Sequence, residues 1–415
     1  MANRDWSLIP DEIWAAIGRY LDNPIDVLRF RSVCSSWRTL TPPFDHSTLL
    51  PRFNFPVPTY SSTFQAFVSE TTVYRINLPN LHLAHNPSTS SSSSDFAKGW
   101  LIKIEEYQRG KFRLLDSLSC RRIKDIACFP SDNLFDISQL SLTKLTTAYA
   151  LKYVAGSSSI AGVNRVVLSP NSHLGRPEDC SIFVIYDNGK LGFAKNGEED
   201  ITLVDYRILD YNDLTVFRGQ PYVVDRWGTV SWIDSSLRVV QYSPPLFGLG
   251  HRKHLVVSKD ELFVVDRYLD ENRTPYPDES SITDNDGVNF NMLQRHPRRR
   301  RRYDFNHPKS VDFKVYKLDE EWGRWVEVKC LGDDESFVLT YDCCFSISAS
   351  EFEGFRENCI YFTEQFDMDL ALRKLGRLGG CVFSLEDHTI EDLPSTPGYS
   401  QIFWPPPIPT RLCTD

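Results

Sequence analysis

The sequence predicts a small all-α module at the amino terminus followed by an all-β propeller of about six or seven blades. Three observations carry that expectation. Apolar residues recur at helical spacing as far as Pro43, and from about Phe53 onward they alternate by twos. The later apolar runs are short and punctuated by Asn-Gly, Gly-Gln-Pro, Trp-Gly and Pro-Pro, the turn chemistry of antiparallel hairpins, with no regular helices between them. A loose unit of polar turn, strand, Gly or Asp turn and second strand then repeats along the chain.

The first helix is expected to begin at Pro10-Asp11-Glu12, because proline fits a first turn and carboxylates there oppose the positive end of the helix dipole. Ile13, Ile17 and Leu21 follow at four-residue spacing and form one apolar stripe, which Asn23-Pro24 ends. A second helix is expected near Asp26, with Phe30, Val33, Cys34 and Trp37 on one face, and Pro42-Pro43 closes the module. Two or three helices this short cannot bury much surface. Their stripes therefore predict a docking module rather than a self-sufficient domain.

Strands are expected at Phe64 to Val68, Val73 to Leu78, Val163 to Leu168, Ile182 to Tyr186, Tyr222 to Val224, Val230 to Ile233 and Leu262 to Val265, all rich in β-branched or aromatic residues. The repeated unit is clearest in the stretches beginning at Gly189, Gly219, Lys259 and Glu357. Blades of about 40 to 50 residues, once a long insertion is subtracted, give the count of six or seven. Two segments interrupt the strands. Ser88 to Ser94 is nearly all serine and reads as a loop, and residues 270–310 form an insertion that is acidic first and basic last. Its basic end is the run Arg298, Arg299, Arg300, Arg301 and Arg302, which like-charge repulsion keeps from packing; it reads either as a nuclear-import signal or as a solvated loop.

Composition excludes several classes. The 415 residues are 41% hydrophobic, 13% aromatic and 24% charged, the balance of a folded globular chain. With 46 basic and 55 acidic residues, the net charge of −9 argues against a dedicated nucleic-acid binder. No run approaches the roughly 18 apolar residues of a membrane span, and no secretory leader follows Met1, so no membrane partner is expected and the location is nucleus and/or cytoplasm. Among the ten cysteines, Cys34, Cys128, Cys344, Cys359 and Cys381 adjoin apolar residues and read as small packing residues.

No catalytic, cofactor-binding or metal-ligating residue is assigned. Gly248-Leu249-Gly250-His251-Arg252-Lys253 lacks the pattern of a phosphate loop, and the pairs His82/His85 and His251/His254 read as loop histidines. Cys343-Cys344 sits in a strand-like run, where neighbours point to opposite faces. No Gly-x-Ser-x-Gly elbow occurs, and the clusters Asp319-Glu320-Glu321 and Asp333-Asp334-Glu335 read as solvated turns.

The segments Trp6-Ser7-Leu8-Ile9-Pro10-Asp11-Glu12-Ile13 and Leu28-Arg29-Phe30-Arg31-Ser32-Val33-Cys34-Ser35-Ser36-Trp37-Arg38 together resemble an F-box, with Ile9 where leucine is commoner. Val311 to Asp319, Trp325 to Val328, Phe345 to Ala349 and Asn358 to Thr363 resemble the KIB-type propeller found behind F-boxes in plants. The resemblance implies an F-box over residues 1–45 and a substrate-binding propeller over 51–415. It implies a non-catalytic substrate receptor of an SCF-type cullin ubiquitin ligase, bound to a Skp-family adaptor and through it to cullin and RING subunits, with the propeller holding a client protein. The adaptor-binding residues it implies are Ile9, Pro10, Ile13, Ile17, Leu21, Leu28, Val33 and Trp37. The rival classes are a ligase-independent interaction scaffold and, further off, a propeller-fold hydrolase with convergent carboxylates at its axis.

Overall fold

A computed structural model describes, with short gaps, residues 10–41, 65–77, 99–122, 141–169, 181–270, 308–364 and 380–393, together with 55 and 56. The serine tract, the arginine run and the chain beyond residue 393 lie outside the described residues. So do Ile9 and most of the insertion.

Three helices form the amino-terminal module: α1 (Asp11–Tyr20), α2 (Pro24–Val33) and α3 (Ser35–Leu40). The Pro10 carbonyl accepts the Ile13 and Trp14 amides, and Asp11 and Glu12 fill the first turn, as expected. The expected second helix is two helices. Cys34 turns extended at φ −158° and ψ 171°, and its sulfur accepts the Trp37 amide at 3.4 Å, so the residue interrupts one helix and caps the next. The break lets Trp37 reach back to Trp14, with ring centroids 3.9 Å apart, while Phe30 stacks on Trp37 at 4.3 Å. Gly18 lets Thr41, at the end of α3, lie against α1, because a Cβ there would sit 2.4 Å from the Thr41 hydroxyl.

Five sheets follow. The first holds β1 (Phe55–Pro56), β2 (Gln65–Asn77), β3 (Trp100–Gln108), β4 (Lys111–Leu115) and β5 (Ser141–Tyr153), with β2 central between β3 and β5. The second runs β6 (Val163–Ser169), β7 (Ser181–Tyr186), β8 (Lys190–Lys195) and β9 (Thr202–Leu203). The third runs β10 (Tyr211–Phe217), β11 (Gln220–Asp225), β12 (Val230–Ile233) and β13 (Val239–Gln241). The fourth runs β14 (Arg252–Ser258), β15 (Glu261–Leu269), β16 (Ser310–Asp319) and β17 (Arg324–Val328). In the fifth, β18 (Glu335–Leu339) pairs antiparallel with β19 (Cys344–Ser348) and parallel with β20 (Cys359–Thr363), followed by β21 (Gly380–Ser384) and β22 (Ile390–Asp392).

Two-residue turns set the register of the hairpins. Arg218-Gly219 joins β10 to β11 and Lys259-Asp260 joins β14 to β15, all four residues at positive φ as a tight hairpin turn of matching twist requires.

Consecutive residues on a strand face opposite sides, and here both sides are buried because each sheet is packed between two others. On β15, Phe263 and Val265 point into the core shared with the fifth sheet, while Leu262 and Val264 point into the core shared with the third. Cores of the same kind join the first sheet to the second, through Val68 and Val184, and the second to the third, through Ile185 and Val223. The ring closes where Val73 and Leu101 of the first sheet pack with Val338, Tyr361 and Val382 of the fifth. The Gly99 amide bonds the Glu351 carbonyl across that joint at 2.8 Å.

The propeller is thus as expected, and the described residues arrange it in five blades rather than six or seven. The difference comes from the first sheet, whose strands span Phe55 to Tyr153 and include two of 13 residues, where an average blade length had been assumed. The expected strands at Phe64 to Val68 and Val73 to Leu78 are one of these, β2.

Candidate functional site

On α1 the apolar stripe faces outward. Trp14 is buried, while Ile13, Ile17 and Tyr20 are 49%, 38% and 78% exposed. These three lie at i, i+4 and i+7, on one face. Val33, at the end of α2, is exposed as well. Of the residues implied by the resemblance, Pro10 starts α1, Leu21 is half-buried at its end, and Trp37 spends its ring on the module's own aromatic core. The side chain of Leu28 lies outside the described residues. Tyr20 extends the stripe and was missed, although its spacing from Ile13 and Ile17 was the available signal.

The propeller offers a second surface. The starts of β10 and β14 and the ends of β11 and β13 lie at one end of the ring, as the pairings Tyr211↔Asp225, Arg252↔Arg267 and Ser231↔Gln241 require. Loops at that end expose Tyr206, Trp227, Phe247 and Leu249. The Phe247 amide donates to the Trp227 carbonyl at 3.0 Å, which fixes two of these loops against each other. The insertion leaves β15 and re-enters β16 at the same end, where the Asp270 amide donates to the Lys309 carbonyl at 2.8 Å. The two glycines of Gly248-Leu249-Gly250 serve packing, since a Cβ on either would strike the carboxylate of Asp266. That carboxylate forms a fully buried pair with Lys253 at 2.6 Å.

Along the axis, β5, β6, β10, β14 and β19 line a cavity of about 280 Å³. Arg165, Asp213 and His254 each occupy the third position of an innermost strand, β6, β10 and β14. Arg165 donates from Nε to Asp213 Oδ1 at 2.5 Å, and from Nη1 to the Tyr341 carbonyl at 3.0 Å. The third guanidinium nitrogen, Nη2, lies 2.8 Å from Cys344 Sγ and 3.4 Å from Asp213 Oδ2. The Asp213 carboxylate also accepts the amides of Leu214 and Leu255. His254 is therefore a strand residue and buried, where a loop histidine was expected; its Nδ1 lies 3.8 Å from Asp213 Oδ2 and 3.9 Å from Cys344 Sγ. Burial, reinforced by Arg267 and Arg165, pushes the imidazole well below its ordinary pKa. Burial also raises the Cys344 thiol well above its own, with Arg165 opposing.

Both groups are thus neutral near pH 7. The thiol and the carboxylate approach the same ring nitrogen, so this is not the relay of a Cys-His-Asp nucleophile, which needs one group at each nitrogen. The signal in the sequence was one polar residue at the third strand position in three successive blades, visible only once the innermost strands are known.

Beside this cluster, Lys103 on β3 pairs with Asp342 and ties the first blade to the fifth. Burial alone would raise Asp342, but Lys103 holds its carboxyl down at about 2. Glu335 is another correction: it is buried on β18, paired with Lys259 at 3.0 Å, and not part of a solvated turn.

A short helical module with an outward apolar stripe, followed by a propeller closed on itself, defines a two-part protein. The chain belongs to the KIB1-4 β-propeller family, whose model matches residues 62–385, and an F-box-like model matches residues 6–46. Similar proteins of Arabidopsis thaliana include F-box protein At2g17690, 28% identical over 89% of this chain and 94% of its own. F-box protein SKIP23 is 28% identical over 97% of this chain and 95% of its own. Putative F-box protein At1g65770 is 29% identical over 87% and 89%.

Proposed function

We propose that the chain is the substrate-receptor subunit of an SCF-type cullin ubiquitin ligase. Its helical module binds a Skp-family adaptor and through it cullin and RING subunits, while the propeller holds a client protein. The observation that carries this reading is the outward face of α1, where Ile13, Ile17 and Tyr20 stay exposed although the module has its own aromatic core. An apolar face left open on so small a unit is stabilised by a partner. Catalysis is left to the ligase: a client held beside a charged ubiquitin carrier sees a raised effective concentration of the reacting group. The client is held by the end of the ring carrying Tyr206, Trp227, Phe247 and Leu249, since exposed aromatic residues on rigid loops make binding anchors.

Reconstitution tests the reading. The full chain mixed with a Skp-family adaptor, cullin and RING subunit should co-elute as one complex on gel filtration; separate elution of chain and adaptor would overturn it. The protein works in the nucleus and/or cytoplasm, with Arg298 to Arg302 as import signal. Replacing all five by Gln should shift a tagged chain toward the cytoplasm, and unchanged partitioning would return the run to a solvated loop.

A further inference from the structure

We infer that the propeller axis carries a zinc-type metal site built from Asp213, His254 and Cys344. The ligand atoms come from three neighbouring blades, on β10, β14 and β19, and all sit just inside one mouth of the ring. Their separations are 3.8 Å (Asp213 Oδ2 to His254 Nδ1), 3.9 Å (His254 Nδ1 to Cys344 Sγ) and 3.7 Å (Cys344 Sγ to Asp213 Oδ2). The carboxylate–imidazole gap is too long for an N–H···O hydrogen bond. All three exceed by a few tenths of an ångström the edges, about 3.3 to 3.6 Å, of a tetrahedron whose centre is bonded to oxygen, nitrogen and sulfur at zinc distances, so the side chains close slightly on the ion.

The state of His254 points the same way. Its Nε2 is buried with no hydrogen-bond partner, and Nδ1 has none closer than the two groups just named. The groups that face Nδ1 are both distant, at 3.8 and 3.9 Å, so its lone pair can bind a cation when the proton sits on Nε2. A thiolate, an imidazole and a carboxylate together suit Zn²⁺ better than the hard cations Mg²⁺ or Ca²⁺. Asp213 and Cys344 line the axial cavity, which leaves a fourth position for water. Binding replaces the Cys344 S–H bond by a sulfur–metal bond and releases that proton to solvent. Arg165 Nε stays on Oδ1 of Asp213 and orients the carboxylate, while its Nη2, now 3.4 Å from Oδ2 and 2.8 Å from Cys344 Sγ, swings off those two atoms as the ion takes its place. The ion would cross-link three innermost strands at the axis, adding to the Arg165–Asp213 pair and the Leu255 amide that already join blades there.

Cobalt substitution tests this on the full chain, independently of any ligase assay. Co²⁺ added to chelator-treated protein should give a thiolate-to-metal charge-transfer band and the visible absorption of a tetrahedral site, and Zn²⁺ should abolish both. The band should vanish in Cys344→Ser and persist in Cys330→Ser, whose cysteine is exposed. His254→Phe guards against a folding failure, because it replaces an imidazole that already lacks a partner at Nε2 with a ring of similar size; it should lose the band while keeping its circular dichroism. Zn²⁺ should raise the melting temperature of wild type by several degrees and leave His254→Phe unmoved. A wild-type chain with no cobalt band and no zinc-dependent shift, or a band that survives Cys344→Ser, would overturn the site and leave Arg165 as the cluster's sole counter-charge.

Discussion

The helical module and the propeller treat apolar residues in opposite ways. Among the described residues of the module, Trp14 and Val27 are the buried large apolar side chains, and Ile13, Ile17, Tyr20 and Val33 stay in solvent. The propeller buries both faces of its strands, and Leu262, Phe263, Val264 and Val265 in succession are each at or below 6% exposure. The contrast follows from geometry. Three short helices have room for one aromatic core, and whatever lies on the other side must wait for a partner, while a closed ring leaves each sheet with two neighbours of its own. One region leaves apolar surface open, the other spends it on its own neighbours.

The sharpest way to break that contrast is to remove a side chain that two blades share. Phe383 is fully buried, 5.1 Å from the ring of Phe313, in the core between the fourth and fifth blades. Phe383→Ala should cost about 3 to 5 kcal/mol of stability, through lost transfer energy and the cavity left behind. Chemical denaturation would register it as a lower midpoint, and an unchanged midpoint would mean that the blades are not held by this packing. The corresponding change in the module should do the reverse. Ile13→Asp with Ile17→Asp puts charge on a face that is already solvated, so folding should shift by less than about 1 kcal/mol. Adaptor binding should nevertheless fall by several kcal/mol, because the carboxylates would be buried unpaired in an apolar interface. Pull-down with a purified Skp-family adaptor separates the two quantities, and a folded double variant that binds as wild type would end the docking assignment.

The same contrast explains what could be read in advance. Helix α1, the helical character of the stretch that forms α2 and α3, and strands such as β7, β11 and β15 were legible because their periodicity and turn residues are local. Blade number was not, since it depends on how much chain each blade consumes, and the first consumes far more than an average. The break at Cys34 was hidden because Phe30, Val33, Cys34 and Trp37 keep helical spacing across it. The axial cluster was hidden for a different reason: Arg165, Asp213, His254 and Cys344 are adjacent only when three-dimensional closure brings innermost strands together. His251 and His254 look alike in sequence, yet one is exposed before β14 and the other faces the axis within it.

Acid should reach the propeller at its closure. Asp342 has its pKa held at about 2, below the ordinary 3.8, by Lys103 against the opposing effect of burial. A carboxyl with a depressed folded-state pKa contributes stability that is fully present above its unfolded value and is lost as pH falls through the folded one. The window is therefore about pH 4 down to about 2, and the loss is on the order of 2 kcal/mol. Lys103, raised above its ordinary value by the same pair despite burial, stays charged throughout and adds nothing to this slope. Asp342→Asn should start less stable at neutral pH and flatten the slope between pH 4 and 2. A variant whose acid profile parallels wild type would place the acid-sensitive joint elsewhere.

The smallest effect on stability, and the most telling for function, is expected at the exposed end of the ring. Trp227 is 61% exposed and Phe247 is 70% exposed, so truncating either leaves no cavity in the core and removes little buried area. Trp227→Ala with Phe247→Ala should thus change folding free energy by no more than about 0.5 kcal/mol. The module is untouched, so adaptor binding should stay at wild-type strength. What should change is the set of proteins that co-purify with the full chain when the proteasome is inhibited, because aromatic anchors dominate binding energy where rigid loops present them. Quantitative mass spectrometry of wild type against the double variant reads this directly. If the anchors hold the client, at least one abundant partner drops out while adaptor, cullin and RING peptides persist. An unchanged partner set would move client recognition to the opposite end of the ring, where Trp322 is 71% exposed at the turn after β16.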